Sequence, residues 1–298
     1  MRIASLGECM IELSPRPGGL YGLGFGGDTL NTAVYLSRLG QAVDYVTAMG
    51  DDTLSDRVVA AWAQEGVGVT LVRRVAGRMP GLYLIETDDK GERRFHYWRD
   101  RAPARELFQL GLPRIDHDLV YLSGVSLAIW GEAGRAAALD LARAVRRRGG
   151  RVAFDNNYRA RLWPDVAAAR DAMAAFLAEV DIALISLDDE RALHGGDAES
   201  AVDRLRAAGV AEIAVKDGAA DAWIAAAPGT ERVPAERDVR VVDTTGAGDS
   251  FNAGYLAARL GGAAPAAAAR AGHRLAAAVV QHPGAIIPAN AMPIMVNA

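Results

Sequence analysis

The stretch "VRVVDTTGAGDSFNAG", residues 239–254, most strongly determines the predicted fold of this chain. Its β-branched residues predict a strand that ends at Asp243, its glycines predict a turn, and a helix is expected to begin at about Asp249. The amides of residues 246–248 would then point outward at the helix N-terminus, where the helix dipole favours an anion. The stretch therefore predicts an anion site beside a carboxylate.

Two roles are open to Asp249 at this point. A carboxylate beside a phosphate-binding turn can accept the proton of an attacking hydroxyl group. Aspartate is also among the best helix N-caps, and the local sequence favours neither role over the other. The turn is not a Walker P-loop, because no Gly-Lys-Ser/Thr follows its glycines.

Apolar runs alternate with helical stretches on the N-terminal side of this turn. The runs "LVYLSG", "RVAFDNN", "DIALIS" and "EIAVKDG" are each followed by a loop, and most of them by a helix. This alternation predicts an α/β fold, a mostly parallel sheet with helices on both faces. Further elements are expected as strands over residues 2–13 and 42–50 and as helices from Thr29 to Leu39, near 53–65, and at about 249–260 and 265–281.

Residues 68–110 break this alternation. Within them "GLYLIETDDKGERRFHYWRD" alternates with period two around a glycine-containing turn, which predicts a β-hairpin. A three-residue loop over residues 89–91, with Gly91 left-handed, would place Tyr83 opposite Tyr97, whereas a four-residue loop would move Tyr83 to the other face. We expect a small β-lid over residues 13–27 and 68–110, beside an α/β core over residues 1–12, 28–67 and 111–298.

A second glycine-rich stretch, "GLGFGGDTLNTA" at residues 22–33, has the spacing of a dinucleotide-binding turn. Such a turn directly follows its strand, but here the strand is expected to end near Leu13, well before Gly22. These glycines therefore do not predict a site for NAD.

Composition excludes several classes of function. The net charge of −4 gives no general attraction to nucleic acid or to an anionic membrane surface. No apolar run reaches the roughly 18 to 20 residues that span a bilayer. The single cysteine, Cys9, allows no internal disulfide and is expected to be a small core residue, which fits a reducing cytoplasm. We therefore expect a cytoplasmic protein with no nucleic-acid or membrane partner.

Two motifs carry a resemblance to a known family. "DTTGAGDSFNAG" resembles the C-terminal signature of the ribokinase (PfkB-like) family of sugar kinases, and "FGGDTLNTAVYLSRLG" resembles its N-terminal Gly-Gly motif. The combination of "YWR", "DNNYR" and "GGDTLN" is more specific and resembles the members that phosphorylate 2-keto-3-deoxygluconate on its terminal hydroxyl. The resemblance covers nearly the whole chain and implies a ribokinase-like fold that uses ATP and Mg²⁺.

The resemblance also implies roles at the turn first described. It makes Asp249 the general base and the amides of Gly246, Ala247 and Gly248 an anion hole.

In this family the first Gly-Gly segment holds the sugar and not the nucleotide. Gly27 would let the substrate approach the backbone, and Asp28 and Asn31 can hydrogen-bond sugar hydroxyls. A helix N-cap role is the alternative for Asp28.

A 2-keto acid carries a carboxylate, which needs a fixed cationic partner, and arginine offers bidentate geometry. Arg99 and Arg159 match the family's carboxylate-handling positions, and Tyr83 and Tyr97 match its lid tyrosines. Because nearly every cation of this chain is an arginine, either arginine taken alone is more typical of a solvated surface charge. Both of them at matching positions, within "YWR" and "NNYR", favour the carboxylate role.

On the nucleotide side, Lys216 and Gly218 follow a strand where the family's ATP loop lies. His273 falls where ribokinase-like proteins have an adenine-side asparagine. An ordinary surface lysine and a helix-surface histidine are the alternatives.

The sequence departs from the family at one motif. The family has an Asn-x-x-Glu motif, which organises water around Mg²⁺ and phosphate. In this chain Ser186-x-x-Asp189 stands at the same place. Asp189 is therefore a candidate for a water-mediated magnesium contact. Asp243 is a candidate for binding a monovalent cation, as in several relatives, with a structural role at a strand end as the alternative.

Three rival functions differ in class: a neutral-sugar kinase, a nucleotide-binding regulator without catalysis, and an NAD-dependent dehydrogenase. Substrates of the gluconate and galactonate series both fit the pattern. We also expect a homo-oligomer, with the outer face of the hairpin, which carries Trp98, as a candidate dimer surface.

Overall fold

The computed structural model describes residues 1–87, 93–227 and 229–294. Its strands are β1 (Arg2–Leu6), β2 (Met10–Arg16), β3 (Leu20–Gly26), β4 (Ala42–Gly50), β5 (Val72–Val75), β6 (Gly81–Thr87), β7 (Arg93–Trp98), β8 (Leu119–Ser123), β9 (Arg151–Asp155), β10 (Ile182–Ser186), β11 (Glu212–Lys216), β12 (Ala222–Ala226) and β13 (Gly229–Val233). Its helices are α1 (Asp28–Arg38), α2 (Thr53–Gln64), α3 (Gly124–Ile129), α4 (Gly131–Arg147), α5 (Val166–Leu177), α6 (Leu187–His194), α7 (Ala198–Ala207), α8 (Ala247–Leu260) and α9 (Pro265–Val279).

A large sheet forms the centre of the molecule, in the spatial order β13-β12-β11-β10-β9-β8-β1-β4-β5. Its neighbours pair in parallel except at β11–β12 and β12–β13. Alternate residues of β1 enter different apolar clusters: Ala4 and Leu6 pack in one, and Ile3 packs in the other. The first cluster includes residues of α4 to α7, and the second includes residues of α1, α2, α8 and α9. The predicted α/β arrangement is confirmed.

The predicted strand over residues 2–13 is wrong in one respect, because it is two strands. β1 belongs to the large sheet, and β2 leaves it for the small one. The apolar pattern continues across the break because Cys9, between the two strands, is as buried as Leu6 and Ile11 on either side. Cys9 is thus a core residue, as predicted.

The small sheet has the order β3-β2-β6-β7, with antiparallel pairs at β2–β3 and β6–β7 and a parallel pair at β2–β6. Tyr83 lies opposite Tyr97, so the conditional pairing is confirmed. Their ring centroids are 5.9 Å apart, and Phe95 packs against both rings. The predicted loop over residues 89–91 lies outside the described residues, and the division into core and lid stays a prediction.

The predicted strand that ends at Asp243 does not form. Val241 and Val242 are 60% and 51% exposed, and the segment pairs with no described strand. Instead the amides of Val242 and Asp243 donate to the carbonyl of Val280, at 2.8 and 3.1 Å, just beyond α9. The β-branched residues thus lack the neighbouring strand that such side chains need, and tertiary context overrides their propensity.

Two other boundaries shift slightly. α8 begins at Ala247, two residues before the expected start, and α1 begins at Asp28. Both helices begin within two residues of the predicted positions. Among the described helices, none is both long and apolar enough to cross a bilayer.

Candidate active site

A cavity of about 1080 Å³ is lined by residues from both sheets. It contains the carboxyl ends of three neighbouring parallel strands, marked by Asp155 on β9, Ser186 on β10 and Lys216 on β11. Ligand sites of open α/β sheets lie at this edge. Every site residue predicted from the sequence lines the cavity except Asn31 and Asp243, and both of these contact its wall.

The glycine-rich turn is shaped by backbone conformation and by Asp243. Gly246 is the N-cap of α8 with a left-handed φ of 77°, and a Cβ there would lie 2.7 Å from the carbonyl of Ala285. Asp243 accepts hydrogen bonds from the amide and hydroxyl of Thr245, at 3.0 and 2.7 Å, and from the amide of Gly284 at 2.6 Å. The first amides of α8 are thereby fixed at the cavity wall, where an anion is favoured.

Asp249 lies in the first turn of α8 and is not its N-cap, so the capping alternative is wrong. The side-chain amide of Asn31 donates to its carboxylate at 2.7 Å. Burial, and next the negative charges of Asp28 and Asp155, raise the pKa of Asp249 to about 8 against the hydrogen bond from Asn31. Asp249 is therefore a stronger base than an ordinary aspartate, and much of it is protonated at neutral pH.

Asp28 opens α1, whose N-cap is Gly27, so the capping alternative is also wrong here. The carboxylate of Asp28 accepts a short hydrogen bond from the side-chain amide of Asn157, at the end of the "FDNN" run. A Cβ at Gly27 would clash with the carbonyl of Glu8, so packing between the chain segments already requires glycine. The substrate contacts predicted for both residues stay predictions.

Lys216 is not a surface lysine, because its side chain is only 12% exposed. Its ammonium group donates to Asp155 at 3.1 Å and to the side-chain oxygen of Asn252 at 2.8 Å. Asn252 in turn donates to Asp155 at 2.6 Å and to the hydroxyl of Tyr121 at 3.0 Å. A Cβ at Gly248 would lie 3.7 Å from the ammonium nitrogen, so this cation lies beside the glycine-rich turn.

Arg99 is buried and forms a short ion pair with the carboxylate of Glu8. Burial raises the pKa of Glu8, although the guanidinium of Arg99 opposes the shift. Nearby, the hydroxyl of Tyr83 donates to Glu12, and burial together with that carboxylate raises the pKa of Tyr83. Glu8 and Glu12 thus form direct contacts with two predicted site residues, Arg99 and Tyr83 respectively.

Arg159 is half exposed and held loosely. Its guanidinium donates to the carbonyl of Tyr158 at 2.8 Å and lies 3.6 Å from the carboxylate of Asp189. Asp189 also accepts from the amide of Tyr158 at 3.2 Å, and burial raises its pKa to about 6. Ser186 is the N-cap of α6 and accepts from the amide of Asp189 at 3.4 Å. The Ser-x-x-Asp motif thus begins a helix whose first turn brings an acid to the cavity.

His273 is buried, so the surface-histidine alternative is wrong. Its ring meets Phe251 edge-on at 5.1 Å, its Nε2 has no hydrogen-bond partner among the described residues, and burial lowers its pKa. Gly218 has a left-handed φ of 55° in the loop after β11. Both residues line the cavity, and their predicted contacts with the nucleotide stay predictions.

Several residues that hold the predicted ones were not predicted from the sequence, notably Asp155, Asn252 and Glu8. The sequence contains partial signals for these three residues. Asp155 ends a strand at the ligand edge of the sheet, and Asn252 lies three residues after Asp249 on the same helix. Glu8 interrupts an apolar run, which an unpaired acid would not do in a core.

The comparison with known families decides the class. The pattern described as "pfkB family carbohydrate kinase" matches residues 1–292. The chain belongs to the pfkB family of carbohydrate kinases.

Relatives of this pfkB-family chain are similar over nearly their whole length. It is 48% identical to the 2-dehydro-3-deoxygluconokinase of Dickeya dadantii, covering 98% of each chain. It is 45% identical to the Escherichia coli K12 protein of the same name, covering 98% of this chain and 99% of that one. The crystal structure of Salmonella enterica aminoimidazole riboside kinase, complexed with aminoimidazole riboside and an ATP analog, superposes with a TM-score of 0.86 at 27% identity, covering 98% and 96%. The predicted ribokinase-like fold is confirmed.

Proposed function

We propose that this carbohydrate kinase transfers the γ-phosphate of ATP to 2-keto-3-deoxygluconate, also called 2-dehydro-3-deoxygluconate, and yields its 6-phosphate. The observation that carries the proposal is the 48% and 45% identity, across nearly entire chains, to two proteins named for this substrate. The cavity supports it, because Asp249, the glycine-rich turn and several arginines line the same space.

Asp249 is the proposed general base. Its carboxylate accepts the proton of the terminal hydroxyl as that oxygen forms a bond to the γ-phosphorus and the bond to ADP breaks. Asn31, which donates to Asp249 at 2.7 Å, orients the carboxylate. A pKa of about 8 supports this role, since it lies near the working pH.

The amides of Gly246, Ala247 and Gly248 are the proposed anion hole for the transferred phosphoryl group. Donors fixed before the reaction stabilise the charge that develops during transfer. Lys216 is the proposed cation for the phosphates of ATP, with Ser186, Gly218 and His273 as further nucleotide contacts. The burial of His273, with an Nε2 that has no hydrogen-bond partner among the described residues, fits a group that meets a ligand.

Mg²⁺ fits this site as an ion that ATP brings with it. Among the described residues, no three acids, histidines or cysteines lie together as a metal cage. Mg²⁺ commonly keeps several waters and binds through one or two carboxylates and the substrate's phosphates, whose charge it neutralises. Asp189 is the proposed contact through water. A monovalent cation at Asp243 stays a prediction, because the hydrogen bonds of that carboxylate to the turn support a structural role equally well.

The sugar acid is proposed to bind on the other side of Asp249. Asp28 and Asn31 would receive its hydroxyls beside Gly27, with Tyr83 and Tyr97 on the small sheet above it. Arg99 and Arg159 are the predicted carboxylate partners. Closure of the small sheet over the sugar would exclude water and limit hydrolysis of ATP.

The proposal also covers the oligomeric state of the protein and the compartment in which it acts. Tyr21, Leu23 and Trp98 lie on the small sheet and are all exposed. Such exposed apolar side chains support the predicted homo-oligomer. Sedimentation velocity of the purified protein tests it: a species of twice the chain mass or more supports the proposal, and a monomer at micromolar concentration contradicts it. We propose that the protein acts in the cytoplasm on small molecules.

An ADP-release assay tests the proposed reaction. The substrates are 2-keto-3-deoxygluconate, its galactonate-series epimer, fructose and ribose, each with ATP and Mg²⁺. A kcat/KM for a keto acid that is at least about 100-fold above those for the neutral sugars is expected, the scale of a recognised charge. Equal or greater turnover of fructose or ribose would assign the chain to the neutral-sugar kinases instead.

A further inference from the structure

The cations that line the cavity differ in whether an acid already neutralises them. Among the described lining residues these cations are Arg99, Arg159, Arg161 and Lys216. Arg99 pairs with Glu8, Arg159 lies 3.6 Å from Asp189, and Lys216 lies 3.1 Å from Asp155. Arg161 makes no ion pair or hydrogen bond through its side chain with any residue that the structure describes. It therefore offers the cavity a charge that has no counter-ion in the described part of the chain.

Arg161 also connects the two sheets. It lies in the short 3-10 turn Ala160–Leu162, which follows β9 of the large sheet. Its guanidinium carbon lies 3.6 Å from the ring centroid of Tyr97, on β7 of the small sheet. This is the shortest cation–π contact among the described residues, the other three being 4.2 to 5.8 Å.

The stacking leaves the donors of Arg161 available. A guanidinium that lies over an aromatic ring uses its face, whereas its N–H groups point outward in its own plane. Two of those N–H groups can bind one carboxylate side by side. Contact with the ring also restricts a long side chain that would otherwise lose rotamer freedom on binding.

We infer that Arg161 recognises the carboxylate of the substrate and, through Tyr97, holds the small sheet over the bound sugar acid. This inference rests on the proposed function and assigns a specificity-determining residue to its site. Charge balance is the physical reason. An anionic substrate gains more from an unpaired cation than from Arg99, whose charge Glu8 already neutralises in a buried pair. Arg161 then adds an unpaired charge to the carboxylate contacts proposed for Arg99 and Arg159.

Substitutions at position 161 test recognition of the carboxylate. Arg161→Gln is expected to lower kcat/KM for the keto acid about 10-fold or more, mainly through KM, as for loss of one charge-assisted contact. It should change kcat/KM less than about 2-fold for an analogue with a hydroxymethyl group in place of the carboxylate. Arg161→Lys keeps the charge without the planar fork, so its kcat/KM for the keto acid should lie between those of the wild-type enzyme and Arg161→Gln.

Arg135→Gln is the matched control. The guanidinium of Arg135 lies 5.4 Å from the ring centroid of Trp163, and neither residue is among those that line the cavity. This variant removes a cation–π contact elsewhere and should match the wild-type enzyme on both substrates.

Substitutions at position 97 test the link between the sheets. Tyr97→Phe keeps the ring and should leave the effect of Arg161→Gln unchanged. Tyr97→Leu removes the ring, and a double-mutant cycle of Tyr97→Leu with Arg161→Gln should show less than additive loss. Tyr97→Leu should also form more ADP than sugar phosphate, because a loosely held small sheet admits water.

The outcomes separate two failures. If the wild-type enzyme does not phosphorylate the keto acid, the proposed function is wrong. If it does, and Arg161→Gln has equal effects on the charged and neutral substrates or no effect on either, this inference alone is overturned. Additive losses in the double-mutant cycle would overturn the link through Tyr97.

Discussion

Asp249, the proposed general base, lies where ionising its carboxylate is unfavourable. Its surroundings hold it among other acids, Asp28 and Asp155, and limit its access to water, which raises its pKa to about 8. The same environment makes its carboxylate basic enough to accept a proton and costly to ionise. Both effects lead to measurable predictions.

Activity should depend on the ionisation of Asp249. Because only the carboxylate form accepts a proton, kcat/KM should rise with pH and level off above about 8, the pKa of this group. Asp249→Asn should keep the fold and lower kcat by about 100-fold or more, and its residual rate should lose this dependence on pH. Rates of both enzymes across the pH range around that pKa check the prediction, with Arg135→Gln as a control for pH effects elsewhere. If kcat/KM of Asp249→Asn still rises with pH over this range, another group is responsible for the rise.

The contribution of Asp249 to stability should fall as pH rises, whereas activity should increase. The pKa of Asp249 is about 8 in the folded state against 3.8 for an ordinary aspartate, so the folded state binds this proton more tightly. Its favourable contribution is complete at pH values below 3.8 and is lost as pH rises to about 8, beyond which the loss is constant. Asparagine does not titrate, so the Tm of Asp249→Asn should exceed that of the wild type by a margin that grows as pH rises from 3.8 to about 8. A variant that is less stable than wild type at the upper end of this range would contradict the burial of this carboxylate.

Lys216 has a structural contact with Asp155 and a proposed role in binding ATP, and two substitutions can separate the two. Lys216→Ala leaves the buried carboxylate of Asp155 without its cation, and breaking such a pair commonly costs about 3 to 5 kcal/mol of unfolding free energy. The double variant with Asp155→Asn removes the uncompensated charge and should recover most of the Tm. It should not recover the KM for ATP, which we expect to rise about 10-fold or more when a phosphate-binding cation is lost. If the double variant also restored the KM for ATP, Lys216 would serve structure alone.

At the scale of the element, the turn between residue 243 and α8 connects the fold with the site. Its glycines and the helix after it are readable from the sequence because both depend on local conformation. The strand expected before it is not, because a strand requires a partner, and Val241 and Val242 pair with no described strand. The turn is held instead by Asp243, whose partner Gly284 is 41 positions away in the chain.

Substitution of Gly246 should therefore lower activity, whereas substitution of a glycine at the other end of the same helix should not. Gly246→Ala places a Cβ at a φ of 77° and 2.7 Å from the carbonyl of Ala285, so it should displace the turn and lower both Tm and kcat/KM. Gly262, just after α8, has a φ of 91°, and a Cβ there would meet nothing within 4 Å, so Gly262→Ala isolates the backbone strain. The control should lose about 1 kcal/mol of unfolding free energy with unchanged kcat/KM. Equal kcat/KM in the two variants would mean that the turn does not take part in phosphoryl transfer.

Across the whole molecule, the pattern of strands and helices was readable from the sequence and the contacts that build the site were not. Alternating apolar runs are local, and they predicted the large sheet, the hairpin and most helices. The pairs Arg99–Glu8 and Lys216–Asp155 join residues that are 91 and 61 positions apart. Only the folded topology brings such residues together, so their charges looked unpaired in the sequence. For Arg161 the topology has the opposite effect, since it leaves a cation in the cavity without an acid among the described residues.

In the proposed reaction, both sheets together bind a sugar acid so that Asp249 activates its terminal hydroxyl. This can be tested by ³¹P and ¹³C NMR of the product that a stoichiometric amount of wild-type enzyme forms from ATP and 2-keto-3-deoxygluconate, beside the same mixture with Asp249→Asn. We expect a phosphate ester at carbon 6 of the sugar acid in the first sample and essentially none on the same timescale in the second. A phosphate ester at another carbon, inorganic phosphate without ester, or equal ester formation by both enzymes would contradict the proposed reaction.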